Sequence, residues 1–355
     1  FDLFLLSTSI ILCIFGFIAL YSIGLGKDPI NFGYLERQAI VFGVFGVVAI
    51  VLALVNYRIF ASYSIVLYIL SCLILIGVLV FGREIRGTRG WIYLGSVGFQ
   101  PAEFAKIALI LVLSRYFSLF TRQIGHTRHL IATGLIAAVP IGLVMLQPDF
   151  GSAAVLAALW LGMVIVSGVP KRSLIALGVI FATLAVGAWL FLFKDYQKQR
   201  IMTFVSPAAD QKGSGYNVRQ ALIAIGSGQI MGRGLGLGSQ SHLKFLPEAQ
   251  TDFIFSVISE EMGFVGVTVI FICLLLFFYR LAVLARNSRD DFTLYMVLGI
   301  SIMFIVHIGL NVGGNLGLIP LTGIALPFLS YGGSSLALSL ISMGLLQSIK
   351  VHQAS

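Results

Sequence analysis

The stretch "LPEAQTDFIFSVISEEMG", residues 246–263, places four carboxylates at the entrance of a segment that then runs apolar to Phe278. These are the side chains of Glu248, Asp252, Glu260 and Glu261. The segment 252–279 exceeds the roughly 20 residues that a helix needs to cross the hydrocarbon core of a bilayer. Acidic groups are costly at that position, so they indicate either pairing or function.

The composition of the whole chain supports a membrane location. Of the 355 residues, 58% are hydrophobic and 10% are charged, and the mean hydropathy is +1.00. Soluble domains are about half apolar and about a quarter charged. Several apolar runs are long enough to span a bilayer, and none shows the alternation of a β-barrel strand. The sequence therefore predicts an all-α, polytopic integral membrane protein.

Apolar windows between polar breaks predict about ten spans in a single membrane domain, residues 1–355. A long extracytoplasmic loop, 195–251, separates spans 7 and 8. With a cytoplasmic N-terminus, the inside connections carry ten basic residues and the short outside connections carry two. This asymmetry predicts cytoplasmic N- and C-termini. The predicted spans are 3–25, 36–56, 60–81, 101–120, 130–146, 150–168, 171–194, 252–279, 293–315 and 330–350.

Two of the connections predicted to lie outside carry a net positive charge, contrary to this asymmetry. Segment 82–100 has three arginines against one glutamate, a net charge of +2, and segment 195–251 has six basic against three acidic residues, a net charge of +3. An anionic ligand on the outer face would explain them, and a solvated loop that adds solubility is the alternative. Residues 214–230 resemble an interfacial or re-entrant helix with Val218, Leu222 and Ile225 on one face. The glycine series 232–238 lacks the spacing of a nucleotide loop.

The stretch "QPAEFAK", residues 100–106, begins a span with Glu103 and Lys106 on one helix face, within reach of each other. Their role is either functional or that of a charge-neutralising pair inside the bundle. Glu260 or Glu261 is a further predicted partner for Lys106.

Thr251 is the predicted N-cap of the span that follows, which puts Asp252 in the first helical turn. A straight helix would then carry Glu260 roughly 12 Å deeper than Asp252. Asp252 lies at the outer mouth in this interpretation, either as a functional group or as a partner of the helix dipole.

Irregular polar sequence also occurs near the end of the chain. "NVGGNLGLIP", 311–320, and "LPFLSYGGSS", 326–335, combine glycines and prolines with Asn311 and Asn315. Such backbone is tolerated at membrane depth only inside protein or beside a water-filled cavity. We expect the irregular stretches to converge on the outer face, and we expect His307 to be hydrogen-bonded in the core.

These motifs resemble the SEDS family (shape, elongation, division and sporulation), which includes RodA and FtsW. The resemblance rests on the predicted span plan and on "FLPEAQTDFIF" (245–255), "QPAEFAK", "LQPDFGSA" (146–153) and "NVGGNLGLIPLTGIALPFLSYGGSSL" (311–336). "KDYQKQRI" (194–201) and "GSGYNVRQALIAIGSG" (213–228) are closer to the RodA branch. Gln250 departs from the pattern, since the family often has His there.

The resemblance implies a peptidoglycan glycosyltransferase that polymerises lipid II on the outer face of the bacterial cytoplasmic membrane, for cell elongation and shape. The 4-hydroxyl of an acceptor sugar attacks the anomeric carbon of the donor, and polyprenyl pyrophosphate leaves. That chemistry needs a carboxylate base and cations at the leaving group. Asp252, in the position of the family's essential aspartate, is the expected base.

The other expected site residues fall into two groups. Those expected to bind substrate are Arg83, Arg86, Arg89, Arg219, Arg233, Lys244 and Glu248. Those expected to support the site are Glu103, Lys106, Glu260, Ser330 and Tyr331.

The sequence leaves open whether the protein uses a divalent metal ion, magnesium or manganese, as a cofactor. Expected partners are lipid II, membrane lipids and a class B penicillin-binding protein that supplies transpeptidation, with no nucleic acid. A lipid II flippase, an FtsW-type division polymerase and a scaffolding subunit are the alternatives.

Overall fold

The computed structural model describes residues 1–26, 29–85, 88–94, 97–121, 127–187, 213–242 and 245–353. A helix occurs at each predicted span, although the predicted end of the seventh, 188–194, lies outside the described residues. Seven of the described helices are long and apolar enough to cross a bilayer, which makes the chain a multi-pass membrane protein: α1, α2, α3, α5, α10, α11 and α12. The helices are α1 (Leu3–Leu25), α2 (Gly33–Leu54), α3 (Tyr57–Phe81), α4 (Pro101–Phe120), α5 (Thr127–Leu146), α6 (Phe150–Val166), α7 (Lys171–Gly187), α8 (Ser214–Ser227), α9 (Ser239–His242), α10 (Ile254–Arg286), α11 (Asp291–Asn315) and α12 (Gly333–Gln353).

Alternate long helices begin at the same end of the bundle. At the start of α4, the Gln100 N–H donates to Ser334 Oγ in α12, and the Gln100 side chain donates to Asp149 at the start of α6, both at 2.8 Å. Tyr34 in α2 packs its ring 4.8 Å from that of Tyr331, just before α12. This end, where α2, α4, α6 and α12 begin, is called the polar end below.

The opposite end holds the other termini of these helices. Arg280 near the end of α10 forms a 2.6 Å ion pair with Asp2, and Tyr57 donates to Asp290 at 2.8 Å. Arg115 donates to the carbonyls of Ala61 and Ser62 near the start of α3. Arginines predicted to face the cytoplasm thus lie at this end, as the up-and-down arrangement requires.

The basic connection 82–100 folds as a small antiparallel sheet, which the all-α prediction did not include. Its strands, in sheet order, are β1 (Arg83–Ile85), β2 (Thr88–Leu94) and β3 (Val97–Phe99). In the register, Arg83 pairs with Trp91 and Ile92 pairs with Phe99. β3 leads directly into α4, so the sheet is fixed at the polar end.

Helix α10 is broken at Gly263, where φ is +63°. In a regular helix, the N–H groups of Phe264 and Val265 would donate to Glu260 and Glu261. They donate instead to Gln229 and Ile230, at 2.9 and 3.0 Å, while the Glu260 and Glu261 carbonyls accept from Arg233 and Gly234. The loop 228–234 therefore completes the hydrogen bonds of the broken helix.

The break divides α10 into two pieces. The part after Gly263 has 23 residues, which is enough to cross the bilayer by itself. Glu260 and Glu261 lie in the short piece before the break, where residues 254–262 are still helical.

The predicted interfacial helix is present as α8. Its buried positions are Ala221 and Ala224, whereas Leu222 is 44% exposed. Val218 and Leu222 both flank Gly317 in the connection between α11 and α12, so they share a face as predicted. Helix α8 thereby packs beside the chain segment that forms the candidate site.

Candidate functional site

Asp252 lies in a turn immediately before α10. Residues 247–253 are turn, the helix begins at Ile254, and its N-cap position is Phe253, which makes no side-chain capping bond. The predicted N-cap was therefore wrong. The Thr251 hydroxyl instead donates to the Glu248 carbonyl at 3.3 Å, because the chain turns back on itself here before the helix starts.

Three consecutive carbonyls of this turn accept hydrogen bonds from distant parts of the chain. Tyr331 N–H donates to Gln250 O at 2.8 Å, and Ser330 Oγ donates to Thr251 O at 2.7 Å. The Asp252 carbonyl accepts from two amide side chains, those of Asn311 at 3.1 Å and Asn315 at 2.8 Å. The turn is consequently fixed to α11 and to the entrance of α12, and α10 joins the helices that begin at the polar end.

Ser330 and Tyr331, expected to support the site, thus do so through the backbone. Ser330 Oγ also accepts from Leu326 N–H, and its carbonyl accepts from the Gln38 side chain of α2 at 3.0 Å. Gln38 was not predicted, since a single glutamine in an apolar run gives no signal of its distant partner.

The Asp252 side chain is half-buried and faces the connection between α11 and α12. A Cβ on Gly323, whose φ is +72°, would lie 3.8 Å from Asp252 Oδ2. The preceding residue packs against α6, where a Cβ on Gly151 would lie 2.5 Å from Thr322 O. Small residues therefore bring the start of α6 close to Asp252.

Glu248 lies in the same turn and has a φ of +54°, a conformation that non-glycine residues adopt rarely and that recurs at functional sites. Its carbonyl accepts from the N–H groups of Thr251 and Asp252. Its carboxylate accepts from the Gln250 side chain at 3.1 Å. Gln250, the departure from the family pattern, thus orients the second carboxylate of the turn.

Glu103 and Lys106 form the predicted pair, with Lys106 Nζ donating to Glu103 Oε1 at 2.7 Å. Lys106 is fully buried and also lies 3.0 Å from His307 Nε2. His307 Nδ1 lies 2.7 Å from Met303 O, and because a carbonyl only accepts, Nδ1 carries the proton and Nε2 accepts from Lys106. The expected core role of His307 is confirmed.

The predicted pairing of Lys106 with Glu260 or Glu261 was wrong. Glu260 accepts from Ser239 Oγ and Gln240 N–H, and Glu261 accepts from Ser22 Oγ at 2.6 Å. The Glu260 carboxylate therefore contacts α9, and the Glu261 carboxylate contacts α1.

The predicted cations lie at several places. Arg89 forms an exposed ion pair with Glu84 at 3.2 Å on the sheet. Arg219 is exposed on α8, and Arg233 is exposed at the helix break, where its guanidinium donates to Ser239 Oγ at 2.8 Å. Arg86, Lys244 and the Arg83 side chain lie outside the described residues.

A source of positive potential that sequence analysis missed is the set of helix N-termini. Five helices, α2, α4, α6, α10 and α12, begin at the polar end, and each N-terminus carries a partial positive charge. Such ends attract anions, including phosphate groups. For a metal, the described residues provide no group of three or more His, Cys, Asp or Glu side chains.

The comparisons with known proteins agree with this architecture. The sequence matches the family profile FtsW/RodA/SpoVE, described as a cell cycle protein, over residues 3–355. It is 35% identical to the peptidoglycan glycosyltransferase MrdB of Escherichia coli K12, over 91% of this chain and 87% of that protein.

Two solved structures share the fold and the sequence pattern. A chain from a peptidoglycan synthase complex that coordinates polymerization and crosslinking superposes with a TM-score of 0.84 at 31% identity, covering 100% of this chain and 98% of that one. The crystal structure of RodA from Thermus thermophilus superposes with a TM-score of 0.72 at 30% identity, covering 99% of this chain and 97% of that one. The chain described here therefore belongs to the FtsW/RodA/SpoVE, or SEDS, family of polytopic membrane proteins.

Proposed function

We propose that this chain is a peptidoglycan glycosyltransferase that polymerises lipid II on the outer face of the bacterial cytoplasmic membrane. The observation that carries the proposal is the turn at Asp252, which four tertiary hydrogen bonds hold at the polar end, where five helices begin. The similarity to MrdB, whose name is peptidoglycan glycosyltransferase, supports the same activity.

In the proposed reaction, the Asp252 carboxylate accepts the proton of the acceptor's 4-hydroxyl while that oxygen attacks the anomeric carbon of the donor. The anomeric carbon–oxygen bond to the pyrophosphate breaks, and polyprenyl pyrophosphate leaves with the bonding electron pair. Half-burial of Asp252 leaves its side chain reachable. The helix N-termini and the loop arginines stabilise the charge that develops on the leaving group.

Magnesium or manganese fits the described residues at this turn only in part. Mg²⁺ is commonly held by one or two carboxylates together with substrate phosphates, and Glu248 and Asp252 are two carboxylates of one turn. When bound there, such an ion would supply positive charge beside the pyrophosphate. No step above depends on it.

The polar end is the outer face in this proposal, with both chain termini cytoplasmic. Support comes from Arg115 and Arg280, which lie at the opposite end, as the positive-inside rule expects. A class B penicillin-binding protein is the proposed partner, because crosslinking requires a transpeptidase and a similar chain is found in a synthase complex that couples both activities.

We assign the chain to the RodA branch, hence to elongation and cell shape. The support for this branch is in the sequence, at segments 194–201 and 213–228, because relatives named FtsW and relatives named RodA both match this chain at 30% identity or more. Segment 194–201, which resembles RodA in sequence, lies outside the described residues. An FtsW-type role in division is the alternative within the family.

A flippase needs polar groups that can serve a path through the whole bilayer. Lys106, in the first part of α4, is fully buried and bound by Glu103 and His307. That arrangement favours a structural role for Lys106 and the enzyme over the flippase.

The decisive experiment is polymerisation of lipid II by the purified chain in detergent, where there are no two sides to flip between. Asp252→Asn keeps the size of the side chain but removes the proton-accepting charge, so we expect turnover to fall at least about a hundredfold. Glu248→Gln is the matched control from the same turn. Near wild-type turnover by Asp252→Asn together with an inactive Glu248→Gln would reassign the base to Glu248.

A further inference from the structure

The break in α10 buries two adjacent carboxylates. Glu260 is fully buried and Glu261 is 3% exposed. Glu261 Oε1 accepts from the Ser22 hydroxyl of α1 at 2.6 Å. Glu260 Oε1 accepts from two donors of α9, Ser239 Oγ at 3.2 Å and Gln240 N–H at 3.0 Å. Two buried carboxylates next to each other need compensation by positive charge or by donors.

Two buried oxygen atoms at this place have no hydrogen-bond donor: Glu260 Oε2 and Gln240 Oε1. They belong to residues already in contact, since the Gln240 N–H donates to the other oxygen of the same carboxylate. Both atoms are acceptors, so they cannot satisfy each other when Glu260 is ionised. Leaving such atoms without a partner is unfavourable by about 1–3 kcal/mol each, and more for a charged group.

Among the described residues, the cation closest in sequence to Ser239 and Gln240 is Arg233. It donates no hydrogen bond to Glu260 Oε2 or to Gln240 Oε1. Arg233 is exposed, and its guanidinium donates to Ser227 O and Ser239 Oγ. Ser239 thus stands between the guanidinium and Glu260 Oε1, while Oε2 keeps no donor. A small cation that both oxygen atoms coordinate would compensate them inside the protein.

We propose that a divalent, oxygen-preferring metal cation of the Mg²⁺, Mn²⁺ or Ca²⁺ class binds at the helix break, between Glu260 Oε2 and Gln240 Oε1. A carboxylate and an amide oxygen are the ligand types these hard cations select, and water completes their coordination.

The ion would join two segments that are far apart in the chain. Glu260 belongs to the short piece of α10 that follows Asp252, and Gln240 belongs to α9, which follows the loop 228–234 in the chain. The role of the ion is to hold α9 against α10, roughly two helical turns from Asp252, rather than to take part in sugar transfer. This inference is independent of the proposed function.

The test uses the full chain, purified in detergent and stripped with a chelator, with Mn²⁺ as the probe. Free Mn²⁺ is measured by electron paramagnetic resonance, and the melting temperature is measured with and without the ion. We expect saturable binding near one ion per chain and a higher melting temperature. Glu260→Gln should weaken Mn²⁺ binding at least about tenfold and abolish the thermal shift, because it removes the charged ligand.

Three further variants make the outcome decisive. Gln240→Ala removes the whole side-chain amide, including the proposed oxygen ligand, but no charge, and it should weaken binding about three- to tenfold. This variant decides the matter where Glu260→Gln fails to elute as a monodisperse protein. Glu36→Gln removes an exposed acidic charge and should bind as wild type does. Unchanged Mn²⁺ binding in both Glu260→Gln and Gln240→Ala would overturn the proposal, as would loss of binding in Asp252→Asn alone or no binding by wild type.

Discussion

The side-chain amide of Asn315 donates a hydrogen bond to the backbone carbonyl of Asp252 at 2.8 Å. Asn315 is fully buried, and its Oδ1 accepts from Ser256 Oγ in the first turn of α10 at 2.6 Å. One amide at the end of α11 therefore fixes both the turn that carries Asp252 and the helix that follows it. Asn311 adds a second donor to the same carbonyl at 3.1 Å.

Asn315→Ala should lower kcat for lipid II polymerisation by about ten- to a hundredfold and leave KM nearly unchanged. The substitution removes the hydrogen bond to Asp252 without touching substrate, and small displacements of a catalytic group reduce rate rather than binding. Initial rates over a range of lipid II concentrations separate the two parameters. Asn287→Ala, at the exposed C-cap of α10 at the opposite end, is the control. A raised KM with wild-type kcat would show that Asn315 contacts substrate instead.

The sequence was sufficient for the elements whose signals are local. The helix positions follow from apolar runs, and the contact between Glu103 and Lys106 follows from a three-residue spacing on one helix. The contact of Asn315 with Asp252 joins residues 63 positions apart, and no periodic pattern encodes it. The sequence identifies Asn315 only as a polar residue in an irregular stretch, without indicating its partner.

Lys106 and Glu103 form a buried ion pair, and we expect the pair, rather than either charge alone, to be needed for stability. Lys106→Met leaves the Glu103 carboxylate buried without a cation, which costs about 3–5 kcal/mol. The double variant, Lys106→Met with Glu103→Gln, should recover much of that loss because no uncompensated charge remains. Thermal unfolding of the purified variants measures both effects.

The exposed pair of Arg89 and Glu84 is the matched control for that measurement. Its side chains are 62% and 55% exposed, and exposed pairs contribute about 0–1 kcal/mol. Glu84→Gln should therefore unfold close to wild type. A double Lys106/Glu103 variant no more stable than Lys106→Met would show that the two charges do not compensate each other.

The arginines of the sheet segment should contribute to lipid II affinity by electrostatic attraction. We expect Arg83→Gln, Arg86→Gln and Arg89→Gln each to weaken binding at low ionic strength, and the difference from wild type to shrink as salt is raised, because exposed charges are screened. Binding of lipid II in detergent at several salt concentrations measures this. Arg58→Gln, an exposed arginine at the start of α3, should bind as wild type does. Wild-type affinity in all three sheet variants would contradict the prediction and leave the pyrophosphate to the helix N-termini and the cations of segment 195–251.

The break at Gly263 shows why a continuous apolar run can mislead. The hydropathy of residues 254–286 is that of one long span, and a single glycine within a helical pattern is a weak signal. The partner that makes the break stable, the loop 228–234, lies about 30 positions earlier. The sequence of that loop gave no signal of its contact with α10.

Gly263→Ala should destabilise the protein by more than about 3 kcal/mol, whereas Gly309→Ala should be neutral or stabilising by up to about 1 kcal/mol. A Cβ on Gly263 would lie 2.2 Å from Gly232 N and 2.6 Å from Ile230 O, and the φ of +63° is unfavourable for alanine. Gly309, in the interior of α11, has no atom within 4 Å of a Cβ and gains helix propensity as alanine. Melting temperatures of the two variants test this opposite pair of signs. Equal melting temperatures would mean that the loop does not pack into the helix break in the folded protein.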